Sequence, residues 1–197
     1  MKRPVGVLIS GSGTNLQALL DAAAQPDHPA RIAVVLSNKP GAYGLERARA
    51  AGVPTEIVSH RGWPSREAYD GALVETLRAH GVEWVCLAGF MRLVTPVLLD
   101  GFGGRVLNIH PSLLPSFPGL HAQRQALEHG VKIAGATVHL VDAGMDSGPI
   151  VEQAAVPVEP GDTEDALSAR ILAVEHQIYP RALARAVRGE LDALLTR

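Results

Sequence analysis

The sequence predicts an α/β protein: a doubly wound, mostly parallel sheet flanked by helices, with an antiparallel hairpin near its carboxyl-terminal side. Three observations lead there. Short apolar runs alternate with amphipathic stretches from Pro4 to His129, the pattern of successive βα units. The first run, 4–9, passes through a glycine turn straight into a stretch with Leu16, Leu19 and Leu20 at helical spacing. Two later runs, 132–141 and 149–158, both read as strands and are joined by a short turn-rich loop, which suggests antiparallel pairing.

Taken in order, the run 4–9 is a buried strand, and Ser10-Gly11-Ser12-Gly13-Thr14-Asn15 turns it into the first helix. Thr14 with Gln17 three residues on has capping-box spacing. A strand, a glycine turn and a helix amino terminus together favour an anion, because free N–H groups and the helix dipole both point there. A dinucleotide fingerprint fails twice: Leu16 stands where its third glycine belongs, and the second strand, 31–36, ends in Ser37-Asn38-Lys39 without a carboxylate for a ribose. A phosphate monoester fits better than NAD, and a purely structural tight turn stays open beside it. Residues 43–51 read as a helix ended by Gly52, 55–58 as a strand, and 65–80 as an amphipathic helix ended by Gly81.

The fourth strand, 83–88, is followed by Gly89-Phe90-Met91-Arg92-Leu93-Val94, apolar side chains around one arginine that suit a flat heteroaromatic ligand or plain packing equally. The fifth strand begins at Arg105-Val106-Leu107 and delivers Asn108-Ile109-His110-Pro111-Ser112-Leu113-Leu114-Pro115. Alternate strand residues share a face, so Asn108 and His110 project together at a strand end, where open parallel sheets bind ligands. The prolines stiffen the exit from the sheet. An amide and an imidazole held rigidly suit an oxyanion donor and a proton-transfer group; a strand-end histidine bonded to a nearby carbonyl is the plainer alternative. After a helix over 122–129 come the two hairpin strands, whose loop carries Asp142 and Asp146, residues that on local grounds serve the turn. The segment 163–195 is helical in period, with an expected break at Pro180.

At 197 residues the chain is expected to form one domain, 1–197, with an ample core. A hydrophobic fraction of 47% against 19% charged excludes disorder. A net charge of −2 and a pI near 6.4 offer no basic surface for nucleic acid or anionic membranes, so the expected partner is a small molecule. Cys86, the single cysteine, lies within an apolar run and excludes a disulfide framework or a CxxC metal site. The apolar segment 5–9 is too short for a signal peptide, and no run approaches a membrane span; a cytoplasmic protein is expected.

Four motifs, 11–17, 87–92, 108–115 and 142–149, occur in the order in which they occur in phosphoribosylglycinamide formyltransferases of purine biosynthesis, and the chain resembles that folate-dependent formyltransferase family over nearly its whole length. The resemblance implies the formyltransferase fold, and transfer of a formyl group from 10-formyltetrahydrofolate to the amine of phosphoribosylglycinamide, without a metal. It assigns Asn108 to the formyl oxygen, His110 to proton transfer and Asp146 to the support of His110. It places the substrate phosphate on Ser12, Gly13, Thr14 and Asn15, with Glu175 near the ribose. It places the folate against Arg66, Met91, Arg92, Leu93, Val94, Asn108, Val141, Asp142 and Met145. The amino-terminal part would then hold the phosphate substrate and the carboxyl-terminal part the folate, in a monomer or weak homodimer, with Leu114–Pro115 as a cis peptide. Two positions depart from the commonest pattern: Ser12 stands where Asn is frequent, and Leu172 where a polar side chain can approach the phosphate. Other formyl-folate enzymes, a formyltetrahydrofolate hydrolase or a methionyl-tRNA formyltransferase, share the Asn, His and Asp arrangement but add a further domain. A non-catalytic sugar-phosphate sensor would need the glycine turn and not the three polar groups.

Overall fold

A computed structural model describes residues 1–195. The chain runs β1 (Arg3–Ile9), α1 (Thr14–Ala24), β2 (Ala30–Ser37), α2 (Gly44–Ala50), β3 (Thr55–Ile57), α3 (Arg66–Ala79), β4 (Trp84–Leu87), α4 (Pro96–Gly101), β5 (Val106–His110), α5 (Ala122–His129), β6 (Ile133–Leu140), β7 (Ile150–Pro157), α6 (Glu164–Val187) and α7 (Asp192–Leu195). The strands form one sheet in the order β3-β2-β1-β4-β5-β6-β7. The first five are parallel, and β6 and β7 are antiparallel to their neighbours, so the expected hairpin lies at one edge. Chain order reverses between β1 and β4, which opens a crevice beyond their carboxyl ends.

Alternation along β1 builds both cores. Val5, Val7 and Ile9 face α1 and α6 with Trp84, Cys86 and Leu107, while Leu8 faces α3 and α4 with Leu36, Val85 and Val106. Two faces covered by helices explain why these strands read as unbroken apolar runs. Ser65 starts α3 by accepting the Ala68 N–H at 3.1 Å, and Thr163 starts α6 by accepting that of Ala166 at 3.2 Å. No helix among the described residues is long and apolar enough to cross a membrane.

Two expectations are corrected. Thr14 is not a side-chain cap: α1 begins on Gly13, which is left-handed at φ +72°, and the Gln17 amide donates to the Gly13 carbonyl at 2.9 Å. The glycine's backbone does the work expected of the hydroxyl. Pro180 does not break α6, which continues for 24 residues. Its missing N–H removes one helical hydrogen bond, and packing of Ile178, Tyr179, Ala182 and Leu183 on both sides of it outweighs that loss. The chain turns instead at Gly189, φ +82°. Between α1 and α6, α4, opened by Pro96 in its first turn, occupies a stretch to which the sequence reading assigned no element.

Candidate active site

The carboxyl end of β5 carries the centre of the site. His110 is 6% exposed, and its Nε2 lies 2.9 Å from the Phe117 carbonyl. Its Nδ1 lies 3.4 Å from Asp146 Oδ2. Both neighbours are acceptors, so a neutral ring can donate to one of them and an imidazolium to both. Asp146 is itself in the left-handed region, φ +51°, and its Oδ2 also accepts the Gly119 N–H at 2.8 Å. One carboxylate thereby ties the hairpin loop to the 115–121 turn and to the imidazole. Phe117 and His121 in that turn are left-handed too, at φ 53° and 58°, so three non-glycine residues near His110 hold a backbone shape that costs free energy and that the surroundings must enforce.

The turn after His110 is anchored from β6. Thr137 Oγ1 donates to the Ser112 carbonyl at 2.7 Å and accepts the Leu114 N–H at 3.0 Å. Gln153 Nε2 reaches the Leu114 carbonyl at 2.9 Å. The Leu114–Pro115 peptide is cis, as the resemblance implies.

Asn108 stands opposite a residue that the sequence reading missed. The antiparallel register pairs it with His139, whose Nε2 lies 3.2 Å from Asn108 Nδ2. His139 Nδ1 faces the Leu140 carbonyl at 3.0 Å, so that nitrogen carries the proton and Nε2 offers a lone pair to the amide. Burial holds the His139 pKa below its ordinary value and keeps the ring neutral. The consequence is an Asn108 whose Nδ2 is fixed, with a second N–H left to donate elsewhere. Strand periodicity alone shows His139 only as one of eight residues of β6; its register against Asn108 of β5 was needed to bring it into the site.

A cavity of about 710 Å³ opens over these groups. Met91, Arg92, Leu93 and Val94 from the loop after β4 form one wall, with Arg66 at the rim donating to the Leu93 carbonyl at 3.1 Å. Val141, Asp142 and Met145 form the other, alongside Asn108, His110, His139 and Asp146. Met91, Leu93 and Met145 are 65%, 56% and 54% exposed, apolar surface kept open toward the cavity. Asp142 is occupied in shaping its own turn: its Oδ1 accepts the Gly144 N–H and the Ser147 hydroxyl. All residues that the resemblance assigns to the folate therefore line one cleft.

The glycine turn lies beside it. Gly13 cannot carry a side chain, because an added Cβ would fall 2.6 Å from the Gly44 Cα. Ser12 is exposed, and its carbonyl accepts from Arg47 Nε at 2.9 Å. Thr14 lies in the first turn of α1, and Asn15 Nδ2 donates to Glu175 Oε2 at 2.8 Å. Glu175 is 6% exposed, and burial pushes its carboxyl up to about 7 against the Asn15 hydrogen bond. Leu172, one turn earlier on α6, is half-buried and offers nothing polar. Among the described residues no group of three or more His, Cys, Asp or Glu side chains is placed to hold a metal ion.

The chain's similarities agree with this geometry. The formyl transferase family matches residues 3–183. Phosphoribosylglycinamide formyltransferase of Escherichia coli (strain K12) is 47% identical over 185 residues, 94% of this chain and 87% of that protein. The trifunctional purine biosynthetic protein adenosine-3 of Drosophila melanogaster is 53% identical over 95% of this chain, which spans only 14% of that protein's length. Among solved structures, glycinamide ribonucleotide transformylase 1 from Symbiobacterium toebii superposes with a TM-score of 0.94 at 60% identity, covering 95% of this chain and 89% of that one. The sheet order, the cleft and these matches lead to one conclusion: the chain belongs to the formyl transferase family.

Proposed function

We propose that this chain transfers the formyl group of 10-formyltetrahydrofolate to the primary amine of phosphoribosylglycinamide in purine biosynthesis. The observation that carries the reading is the convergence of Asn108, His110 and Asp146 at the floor of the 710 Å³ cleft, next to the glycine turn. The names of the relatives support the substrate pair.

In this reading the amine attacks the formyl carbon and negative charge gathers on the formyl oxygen. The free Asn108 N–H donates to that oxygen, with His139 fixing the amide. Removing one such preorganised donor costs about 10² to 10³ in rate. His110, held by Asp146, moves a proton between the amine and the departing folate nitrogen, a role worth roughly 10² to 10⁴. The backbone of Ser12, Gly13, Thr14 and Asn15 receives the phosphate, and Glu175 with Asn15 faces the ribose. Met91, Leu93, Val94, Val141 and Met145 offer apolar walls to the folate ring, while Arg66, Arg92 and Asp142 surround it with polar groups. The chain acts as one formyltransferase domain, a monomer or weak homodimer, in the cytoplasm, where the buried and unpaired Cys86 stays a thiol.

The test mixes the protein with glycinamide ribonucleotide and a 10-formyl folate analogue and follows the folate chromophore. Deformylation is expected only when both are present, and Asn108→Ala and His110→Ala are each expected to slow turnover at least about a hundredfold with an unchanged circular dichroism spectrum. Deformylation without the amine would make the chain a hydrolase. Near-normal rates in either variant would return the pair to a structural role.

A further inference from the structure

We propose that Ser10, the residue that opens the glycine turn, is a positioning residue for the folate loop rather than for the phosphate. The proposal rests on the folate reading of the cleft given above. Ser10 directly follows β1 and Met91 lies in the loop after β4, so the two flank the point where chain order reverses and the crevice opens. The Ser10 hydroxyl crosses that gap, accepting the Met91 N–H at 3.0 Å.

The hydroxyl's own proton goes to Asn38 Oδ1 at 2.6 Å, within a pair that is 5% and 3% exposed. Asn38 Nδ2 in turn lies 3.2 Å from His60 Nδ1. The direction of every bond is thereby set: the Met91 amide donates to Ser10, Ser10 donates to Asn38, and Asn38 donates to His60. Asn38 is the residue found where a dinucleotide-binding fold carries a ribose carboxylate, and here its amide turns inward instead. The three strand ends of β1, β2 and β4 are joined through one buried hydroxyl.

Met91 is otherwise poorly held. Its side chain is 65% exposed, and the residues before it leave the sheet through Gly89 at φ +73°. Backbone N–H groups buried away from water need a partner, and loss of that partner is costlier than the bond itself is stabilising. Without the Ser10 hydroxyl the Met91 N–H loses its partner, and the wall of the folate cleft moves at Met91, while Phe90 stays packed on the core and Leu93 stays bonded to Arg66. The phosphate turn would keep its shape, because Gly44 N donates to the Gly11 carbonyl at 3.0 Å and Arg47 holds the Ser12 carbonyl, both independently of Ser10.

The experiment compares the wild type with Ser10→Ala and Ser10→Thr. Amide hydrogen exchange in the unliganded protein is expected to show Met91 protected in the wild type and exchanging at least tenfold faster in Ser10→Ala. Steady-state kinetics are expected to show about a tenfold higher KM for the formyl folate in Ser10→Ala, a glycinamide ribonucleotide KM within twofold of wild type, and recovery of the folate KM in Ser10→Thr. Equal rises in both KM values would place Ser10 in the phosphate turn and overturn the proposal, as would folate binding unchanged by the loss of Met91 protection. Lower thermal stability with the ratio of the two KM values unchanged would make Ser10 structural only and overturn it as well. A wild type that protects Met91 but binds no formyl folate would defeat the functional reading, and the proposal with it.

Discussion

Asp146 shows how much one side chain can be asked to do. Its Oδ2 faces both His110 Nδ1 and the Gly119 N–H, while Oδ1 lies 3.7 Å from His139 Nε2. A loop aspartate ordinarily needs no catalytic explanation, and nothing local in the sequence distinguishes it from Asp142, which does serve its own turn. The two readings separate on Asp146→Asn, which keeps the size and an acceptor for Gly119 and removes the charge. If the carboxylate supports His110 in the reaction, turnover falls roughly a hundredfold while the folate KM stays within about threefold. If it only shapes the 142–148 loop, folate affinity falls and turnover at saturation does not. Steady-state kinetics with both substrates varied decide between them.

At the scale of elements, α1 and its turn depend on close approach of backbone to backbone. Gly13 lies against Gly44 of α2, and its φ of +72° disfavours any side chain. Gly13→Ala is therefore expected to push the amino terminus of α1 away from α2 and to raise the glycinamide ribonucleotide KM at least tenfold, with the folate KM changed far less. Separate titrations of the two ligands check this, and equal losses would reduce the turn to a structural role. The βα alternation, the hairpin and the pairing of Asn108 with His110 on one strand face were all legible in the sequence, because each rests on local periodicity. What was not legible depends on register or on contact across the chain. His139 becomes a partner of Asn108 only through the antiparallel ladder, Ser10 becomes a partner of Met91 only through the β1 and β4 pairing, and Pro180 stays helical only because its neighbours are packed. The Asp146 role comes from the resemblance, and the geometry adds a carboxylate oxygen 3.4 Å from His110 Nδ1.

Over the whole molecule, the cleft and the glycine turn beside it hang from one helix. Tyr179 of α6 is fully buried and its hydroxyl lies 2.9 Å and 3.1 Å from the carbonyls of Leu87 and Leu107, where β4 and β5 release the loop of Met91 and the side chain of Asn108. One turn earlier the same helix presents Glu175 to Asn15 of the glycine turn. A buried carboxyl at that place opposes folding, and the sign follows from its titration. Burial raises the Glu175 pKa from 4.5 to about 7, so the unfolded chain releases this proton at lower pH than the folded one. Its contribution is most favourable below pH 4.5 and is lost as pH rises toward 7, a difference of about 3 kcal/mol at 1.36 kcal/mol per pH unit. Glu175→Gln, which cannot ionise and can still accept from Asn15, is expected to match the wild type near pH 4.5 and to exceed its stability by up to about 3 kcal/mol at pH 8, while binding glycinamide ribonucleotide more weakly. Urea unfolding across that pH range measures it. A stability difference that does not change between pH 4.5 and 8 would show that folding leaves the Glu175 pKa unshifted, and that the site carries no such cost.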